Sequence, residues 1–137
     1  MKVFLYYSGK AKDIHANAMA ADYIKRVSHY ASAQMTEVSK IDPWTKHPAA
    51  KKILFDQAGR SIDSNAFSEL FAKAEMLGHD LVFVIGGHAG LPDAWRGRAD
   101  LLISLSALTM PHELARAVVA EQIYRAFTML RGHPYPR

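Results

Sequence analysis

The sequence predicts an α/β fold in which a mostly parallel sheet carries helices on both of its faces. Two apolar runs, "VFLYY" at residues 3–7 and "DLVFVI" at 80–85, are nearly continuous, which is typical of strands buried on both faces. Segments with apolar residues at helical spacing separate the apolar runs. Strands that alternate with helices favour parallel pairing, because the helices serve as crossovers between strands.

The first half of the chain predicts three strands and one helix. After the strand at residues 3–7, Asp13 can cap a helix rich in alanine and spaced apolar residues. A weak alternation over residues 36–41 predicts the second strand, and "KKILFD" at 51–56 predicts the third. Two prolines in the intervening "DPWTKHPAA" predict irregular structure. This link of about nine residues is short for a parallel crossover.

The second half predicts three helices and two strands. The first of these helices follows the candidate caps Ser61, Asp63 and Ser64 and should stop at Gly78, because glycine favours helix ends. The remaining elements are a strand at 80–85, a short helix at 93–98 after Pro92, a strand "LLISLS" at 101–106 and a long helix from about His112 to Leu130.

Length and composition predict one domain over residues 1–137, since a chain of 137 residues that is half apolar can bury one core. The 17 lysines and arginines exceed the 13 aspartates and glutamates, so the net charge of +4 favours an anionic partner. The absence of cysteine excludes disulfides, thiolate zinc sites and thiol nucleophiles, and it is compatible with the reducing cytoplasm, where we expect the protein. The first apolar run is too brief for a signal peptide, and no later stretch has the length to span a bilayer.

The long last helix carries apolar residues around most of its circumference. Such a helix is buried on more than one side. Either its own domain encloses it or a second subunit covers one side, and in so small a domain we favour a homodimer.

Three loops are expected at the carboxyl ends of neighbouring strands, where open parallel sheets bind their ligands. They are "QAGR" at 57–60, "GGHAG" at 86–90 and residues 107–111. The glycines of the second loop allow close approach of a ligand, or they only make a tight turn. This loop lacks the Gly-x-Gly-x-x-Gly pattern, which disfavours a nicotinamide cofactor.

Metal-dependent and covalent chemistry are both disfavoured. The seven histidines are scattered and form no His-Glu-x-x-His pattern, so we expect no metal. Ser104 and Ser106 precede His112, but the Gly-x-Ser-x-Gly turn of a serine nucleophile is missing.

The end of the chain mixes positive charge with aromatic rings, a combination that binds phosphates and stacks on bases. A solvated helix face followed by a frayed tail is the alternative. The residues concerned are Tyr124, Arg125, Arg131, His133, Tyr135 and Arg137.

Three segments together resemble one family: "VIGGHAG", "SLSALTMPHELARAVVAEQIYRA" and "GHPYPR". They resemble the SPOUT-class methyltransferases that methylate N3 of a pseudouridine in large-subunit ribosomal RNA, and the likeness is dense over residues 80–137. The resemblance implies a C-terminal deep trefoil knot, an exception to the rule that chains do not thread loops. It also implies S-adenosylmethionine as cofactor and a homodimer with its active sites at the subunit boundary.

The resemblance further implies roles for particular residues. Arg125 would steady the anion that develops on the acceptor base, Tyr135 would stack on or hydrogen-bond that base, and His112 or His133 would accept its proton. The cofactor would bind three loops, at Phe55, at Gly87, and at Ser106, Ala107, Leu108, Thr109, Met110 and Pro111.

The chain also departs from the family pattern. His88 and Ala89 stand where the family carries Pro-Glu, so a loop carboxylate is missing, and Pro136 replaces a final histidine. Phe55 replaces a usual leucine, and the family's helix between strands two and three is missing.

Two other functions stay open at the level of sequence. A knotted dimer that binds RNA without methylating it would account for the missing carboxylate and histidine. A small-molecule enzyme on a plain doubly wound sheet would use the glycine loop without residues 106–111.

Overall fold

The computed structural model describes residues 1–38 and 40–135. Within these ranges the order of elements is β1 (Lys2–Tyr7), α1 (Ile14–Val27), β2 (Ser32–Glu37), α2 (Pro43–Lys46), β3 (Lys51–Ser61), α3 (Ser64–Leu77), β4 (Leu81–Ile85), α4 (Asp93–Arg98), β5 (Leu101–Ser104) and α5 (His112–Arg131).

The strands form one sheet in the order β2-β1-β4-β3-β5, and each described neighbouring pair is parallel. The predicted parallel α/β fold is therefore confirmed. Because all strands run the same way, their carboxyl ends meet at one edge of the sheet, which is where the candidate loops after β4 and β5 begin.

The two faces of the sheet are covered very differently. Leu81, Phe83 and Ile85 of β4 belong to the main core with residues of α1, α3 and α5. Val82 and Val84 face the other way, where the cover comes from α2 and α4, of only four and six residues. Helices thus lie on both faces as predicted, but the second face is thinly covered.

The prediction of a loop at residues 57–60 is wrong, because β3 continues through this segment to Ser61. Its pairing with β5 contains a bulge, since Phe55 and Arg60 both lie opposite Ile103. A Cβ atom on Gly59 would lie 2.7 Å from the backbone of Ile103. Polar residues in a bulge break the alternation that marks a strand in sequence, which is why the pattern did not reveal it.

Two further boundaries differ from the prediction. β2 covers Ser32–Glu37 rather than residues 36–41, because as a half-exposed strand at the sheet edge it carries little apolar signal. "DPWTKHPAA" is not wholly irregular, since Asp42 accepts hydrogen bonds from the backbone N–H groups of Trp44 and Thr45 and caps α2. Pro43 stands in the first turn of this helix, where its missing N–H costs nothing.

α5 is enclosed mainly by its own domain, and not by the second subunit that the sequence analysis favoured as its cover. It packs against α1 on one side and α3 on the other. Val119, Ile123 and Phe127 are completely buried, whereas Leu114 is 46% exposed. The apolar circumference of α5 therefore gives no independent support for a second subunit.

The path of α5 crosses the molecule. β5 lies at one edge of the sheet, and the following helix packs chiefly on α1, which lies near the opposite edge beside β2. This crossing is compatible with the C-terminal knot that the resemblance implies, and the knot stays a prediction. No helix in the described ranges combines the length and apolar character needed to cross a membrane.

Candidate functional site

A cavity of about 430 Å³ lies at the carboxyl edge of the sheet, where β3, β4 and β5 end. It is lined by residues 55–57 in the middle of β3, by the glycine loop after β4 and by the segment that joins β5 to α5. The structure thus brings the three sequence segments together around one space, as the sheet rule predicts.

Most residues expected to hold a cofactor line this cavity. Ala107 and Pro111 belong to the same loop as four of these lining residues, but they do not line the cavity themselves. His112, the first residue of α5, also lines it. The lining residues named from the resemblance are Phe55, Gly87, Ser106, Leu108, Thr109 and Met110.

The glycine loop owes part of its composition to packing. A Cβ atom on Gly87 would lie 2.7 Å from the carbonyl oxygen of Ser8, at the end of β1. The Gly90 N–H donates to the Gly87 carbonyl over 3.0 Å and closes a tight turn. The loop is therefore both a tight turn and a wall of the cavity, so the two alternatives left by the sequence apply together.

The two serines near the end of β5 shape the next loop. The Leu108 N–H donates to the Ser106 hydroxyl over 3.0 Å, and the Ser104 hydroxyl donates to the Ser106 carbonyl over 3.2 Å. These bonds fix the local backbone. A structural role for both hydroxyls agrees with the expectation that neither serine is a nucleophile.

An ion pair in the cavity wall was missed by sequence reasoning. Asp56 Oδ2 lies 2.9 Å from Arg96 Nη1, and Asp56 Oδ1 accepts from the Ala58 N–H over 2.8 Å. The Arg96 guanidinium, and after it the Ala58 N–H, hold the pKa of the Asp56 carboxyl below its usual value. Arg96 also pairs with Asp93. Asp56 directly follows Phe55 at the carboxyl end of the buried part of β3. This position was the sequence signal that could have marked Asp56 as a site residue.

Arg125 and Tyr135 lie together, but away from this cavity. Glu121 Oε2 accepts from Arg125 Nη2 over 2.7 Å and from the Tyr135 hydroxyl over 2.9 Å. The Tyr135 hydroxyl also lies 3.1 Å from that of Tyr23. Arg125 stands thirteen residues after His112 in the same helix, a distance of about 20 Å along the axis. A single chain therefore does not bring Arg125 and Tyr135 to the cavity.

The electrostatics of this cluster follow from its contacts. Burial first, and then the hydrogen bonds to Tyr23 and Glu121, raise the pKa of the Tyr135 hydroxyl far above its usual value. The Glu121 carboxylate raises the pKa of Arg125. At neutral pH the cluster thus presents a phenol that donates and a guanidinium that stays charged. Glu121 and Tyr23 were not singled out from the sequence.

The rest of the basic tail is spread out. Arg131 Nη2 lies 2.6 Å from Glu75 Oε1 of α3, so this cation is matched within the chain. His133 is exposed just after α5. Pro136 and Arg137, which also entered the sequence argument, lie outside the described residues.

Comparison with known proteins decides the family. A family model described as "Predicted SPOUT methyltransferase" matches residues 1–136. The chain belongs to the SPOUT methyltransferase family. One relative of this SPOUT methyltransferase is the "Ribosomal RNA large subunit methyltransferase H" of Solibacter usitatus, 60% identical over 139 residues that cover 100% of both chains.

Solved structures show the same fold in more distant proteins. A "probable methylase family protein" from Haemophilus influenzae superposes with a TM-score of 0.65 at 10% identity, covering 99% of this SPOUT methyltransferase and 70% of the other chain. An "AdoMet bound rRNA methyltransferase" from Sinorhizobium meliloti superposes with a TM-score of 0.55 at 12% identity, covering 94% and 57%. At sequence identities this low, the structural similarity shows that the fold is shared.

Proposed function

We propose that this SPOUT methyltransferase transfers a methyl group from S-adenosylmethionine to ribosomal RNA, at N3 of a pseudouridine in the large-subunit RNA. The observation that carries the proposal is the cavity lined by part of β3, the glycine loop and the segment before α5, in a chain that is 60% identical, end to end, to a protein named for large-subunit rRNA methylation. We place the activity in the cytoplasm, where that substrate is made.

The cavity suits S-adenosylmethionine in size and chemistry. Its volume of about 430 Å³ falls in the usual range for small-molecule sites, which combine apolar walls with a few fixed polar groups. Phe55, Leu91 and Met110 supply apolar surface for an adenine ring, while Asp56 supplies a carboxylate for hydroxyl groups. When bound, S-adenosylmethionine supplies an electrophilic methyl group on its sulfonium.

The protein's contribution to such a transfer is alignment, because the reaction is an in-line displacement between two bound partners. The imide nitrogen of the acceptor base must lose its proton before or during attack. We assign Arg125 to stabilise the anion that develops and Tyr135 to stack on or donate a hydrogen bond to the base. His112 of the cavity wall, or His133 of the tail, accepts the proton.

These assignments require two copies of the chain. The Arg125 and Tyr135 cluster lies about 20 Å along α5 from the cavity of its own chain, so we propose a homodimer in which each tail completes the partner's site. Large apolar side chains are exposed near the amino ends of α1 and α5: Ile14 at 80%, Met19 at 54% and Leu114 at 46%. A surface of this kind is suited to a contact between subunits.

Two measurements test the function. Ribosomal RNA from cells with and without the gene is digested and analysed by mass spectrometry, and one methylated pseudouridine should disappear with the gene. Calorimetric titration of the purified protein should show S-adenosylmethionine binding at micromolar concentration. Absence of binding at high micromolar concentration would exclude the methyltransferase and leave the non-catalytic RNA-binding dimer.

A further inference from the structure

A second cavity of about 320 Å³ adjoins the first one. It lies between the segment after β2 and the start of α4, and we call it the side groove; its walls include Val38, Lys40, Ile41 and Trp95. Gly90 and Leu91 line both spaces, so the glycine loop is a common wall. A molecule in the side groove would therefore lie directly beside whatever occupies the main cavity.

The side groove exists because two short helices cover this face of the sheet. α2 and α4 are too short to shield it, and aromatic side chains fill the remaining space. Trp44 and Trp95 meet edge to face with ring centroids 5.8 Å apart, and both remain partly exposed. Trp95 lines the side groove, so its indole offers the groove an aromatic surface.

The wall of the side groove carries one acid, Asp42, and one lysine, Lys40. Asp42 caps α2 and lies 3.9 Å from Arg98, whose guanidinium stacks 4.5 Å above the Trp44 ring. Among the described contacts, Lys40 has no hydrogen bond and no ion pair, and its side chain is exposed in the wall. An aromatic wall next to an exposed lysine favours a ligand that has both a flat ring and a negative charge.

We propose that the side groove binds one nucleobase of single-stranded RNA, next to the nucleotide that is methylated, with the base stacked on Trp95 and its phosphate near Lys40. The proposal rests on the proposed function, since it takes RNA as the substrate. Stacking on an aromatic side chain tolerates any base, so this contact would position the strand without selecting its sequence. The common wall at Gly90 and Leu91 sets the distance between the stacked base and the methyl donor.

Fluorescence gives a direct test, because the chain contains two tryptophans. Trp44→Phe leaves Trp95 as the only indole, and Trp95→Phe leaves Trp44. Titration of Trp44→Phe with a short unstructured oligoribonucleotide should quench its emission with saturation, and more strongly than that of Trp95→Phe. Quenching of Trp95 by S-adenosylmethionine alone and not by RNA would assign the side groove to the cofactor and overturn the proposal.

Steady-state kinetics separate positioning of RNA from general damage. Trp95→Leu keeps apolar packing but loses the stacking surface, so KM for RNA should rise about tenfold while the affinity for S-adenosylmethionine stays unchanged. Trp95→Phe should restore most of the loss. An unchanged KM for RNA in Trp95→Leu overturns the proposal.

The lysine has a matched control on the other face of the sheet. Lys40→Ala should weaken RNA binding and lower the slope of log K against log salt by about one, whereas Lys73→Ala on α3, also exposed, should change neither. Equal effects of the two variants would remove Lys40 from the RNA contact. Quenching of Trp95 by RNA in a protein that methylates no RNA would uphold the side groove and reject the proposed reaction.

Discussion

Arg116 is a completely buried arginine that ties α5 to the start of the chain. Its Nη2 atom donates to the carbonyl oxygens of Ser8 and Gly9, each over 3.1 Å, and its Nη1 atom donates to Asn17 Oδ1 over 3.1 Å. The guanidinium also lies 4.0 Å from the centroid of the Tyr7 ring. This set of partners holds the loop after β1 against the glycine loop and the start of α5.

Replacing Arg116 by Met should destabilise the protein by about 3 kcal/mol or more, because a buried charge network loses its central donor. Two carbonyl groups and one amide oxygen, all partly buried, would lose their hydrogen-bond donor. Urea denaturation of the wild type and the variant measures the loss. Arg131→Met, which removes a half-exposed arginine on the same helix, is the control and should cost about 1 kcal/mol or less; equal losses would argue against the network.

Glu113 makes the same junction sensitive to acid. Its Oε1 atom accepts hydrogen bonds from the backbone N–H groups of Asp13 and Lys12 and from the Asn17 side chain. The bonds from Asp13 and Lys12 lower the pKa of Glu113 to about 2, from an ordinary value of 4.5. The resulting stabilisation is complete above the ordinary pKa and disappears as the pH falls through the folded one.

The difference in unfolding free energy between the wild type and Glu113→Gln should therefore be largest at neutral pH and shrink between about pH 4.5 and pH 2. Denaturation curves at a series of pH values measure this difference. Glu69→Gln, which removes an exposed carboxylate on α3, is the control. A pH-independent difference for Glu113→Gln would mean that its carboxylate is not the group that titrates.

Among the elements, β3 has the most direct effect on the candidate site. The bulge in β3 begins next to Phe55 and Asp56. After the bulge, β3 pairs with β5 again at Arg60 and Ser61. Gly59 makes this possible, because its missing side chain leaves room for the β5 backbone. Two walls of the main cavity thus depend on one backbone contact.

Gly59→Ala should destabilise the protein by roughly 1–3 kcal/mol, as expected for an overpacked site, and should weaken binding of S-adenosylmethionine. The added Cβ would lie 2.7 Å from the backbone of Ile103, so β5 must shift. Gly97→Ala in α4 is the matched control, since its Cβ would meet nothing within 4 Å. That change should stabilise α4 by up to about 1 kcal/mol. Thermal melting with and without cofactor checks both variants.

At the scale of the whole molecule, α5 separates two groups of residues that the proposed reaction requires. Its first residue lines the main cavity, while Arg125 and Tyr135 lie towards its other end with Glu121. A dimer that pairs the cavity of one copy with the tail of the other would reunite these parts.

Mixing two inactive variants tests this arrangement. Arg125→Ala should spare cofactor affinity and lower methylation at least tenfold, on the order of 1.4 kcal/mol in the barrier. Met110→Arg should block the cavity by placing a cation near the sulfonium. In a mixture refolded together, mixed dimers hold one intact composite site, so activity should recover to about a quarter of the wild type. No recovery, with mixed dimers present, would place both groups in one chain.

The sequence predicted the candidate site unevenly, and particular residues show why. The sheet rule placed the ends of three strands at one edge, and the resemblance assigned Phe55, Gly87 and Ser106 to the cavity that lies there. Arg96 lies forty residues after Asp56, in a short helix with no pattern that points to the partner. The bulge of β3 was not predicted, because its polar residues break the alternating pattern of a strand even though the strand continues beyond them.

By itself, the sequence determined the parallel α/β fold, the loops after β4 and β5 at one edge, and the family, because buried strands, glycine turns and a long specific segment are local signals. Only the tertiary structure decided that Arg116 holds the loop after β1, that Asp56 meets Arg96, that Trp95 faces a groove beside the main cavity, and that Arg125 lies far from the cavity of its own chain. Each of these facts depends on contacts between segments that are remote along the chain. Such contacts are set by the packing of helices on the sheet, which leaves no periodic pattern in the sequence.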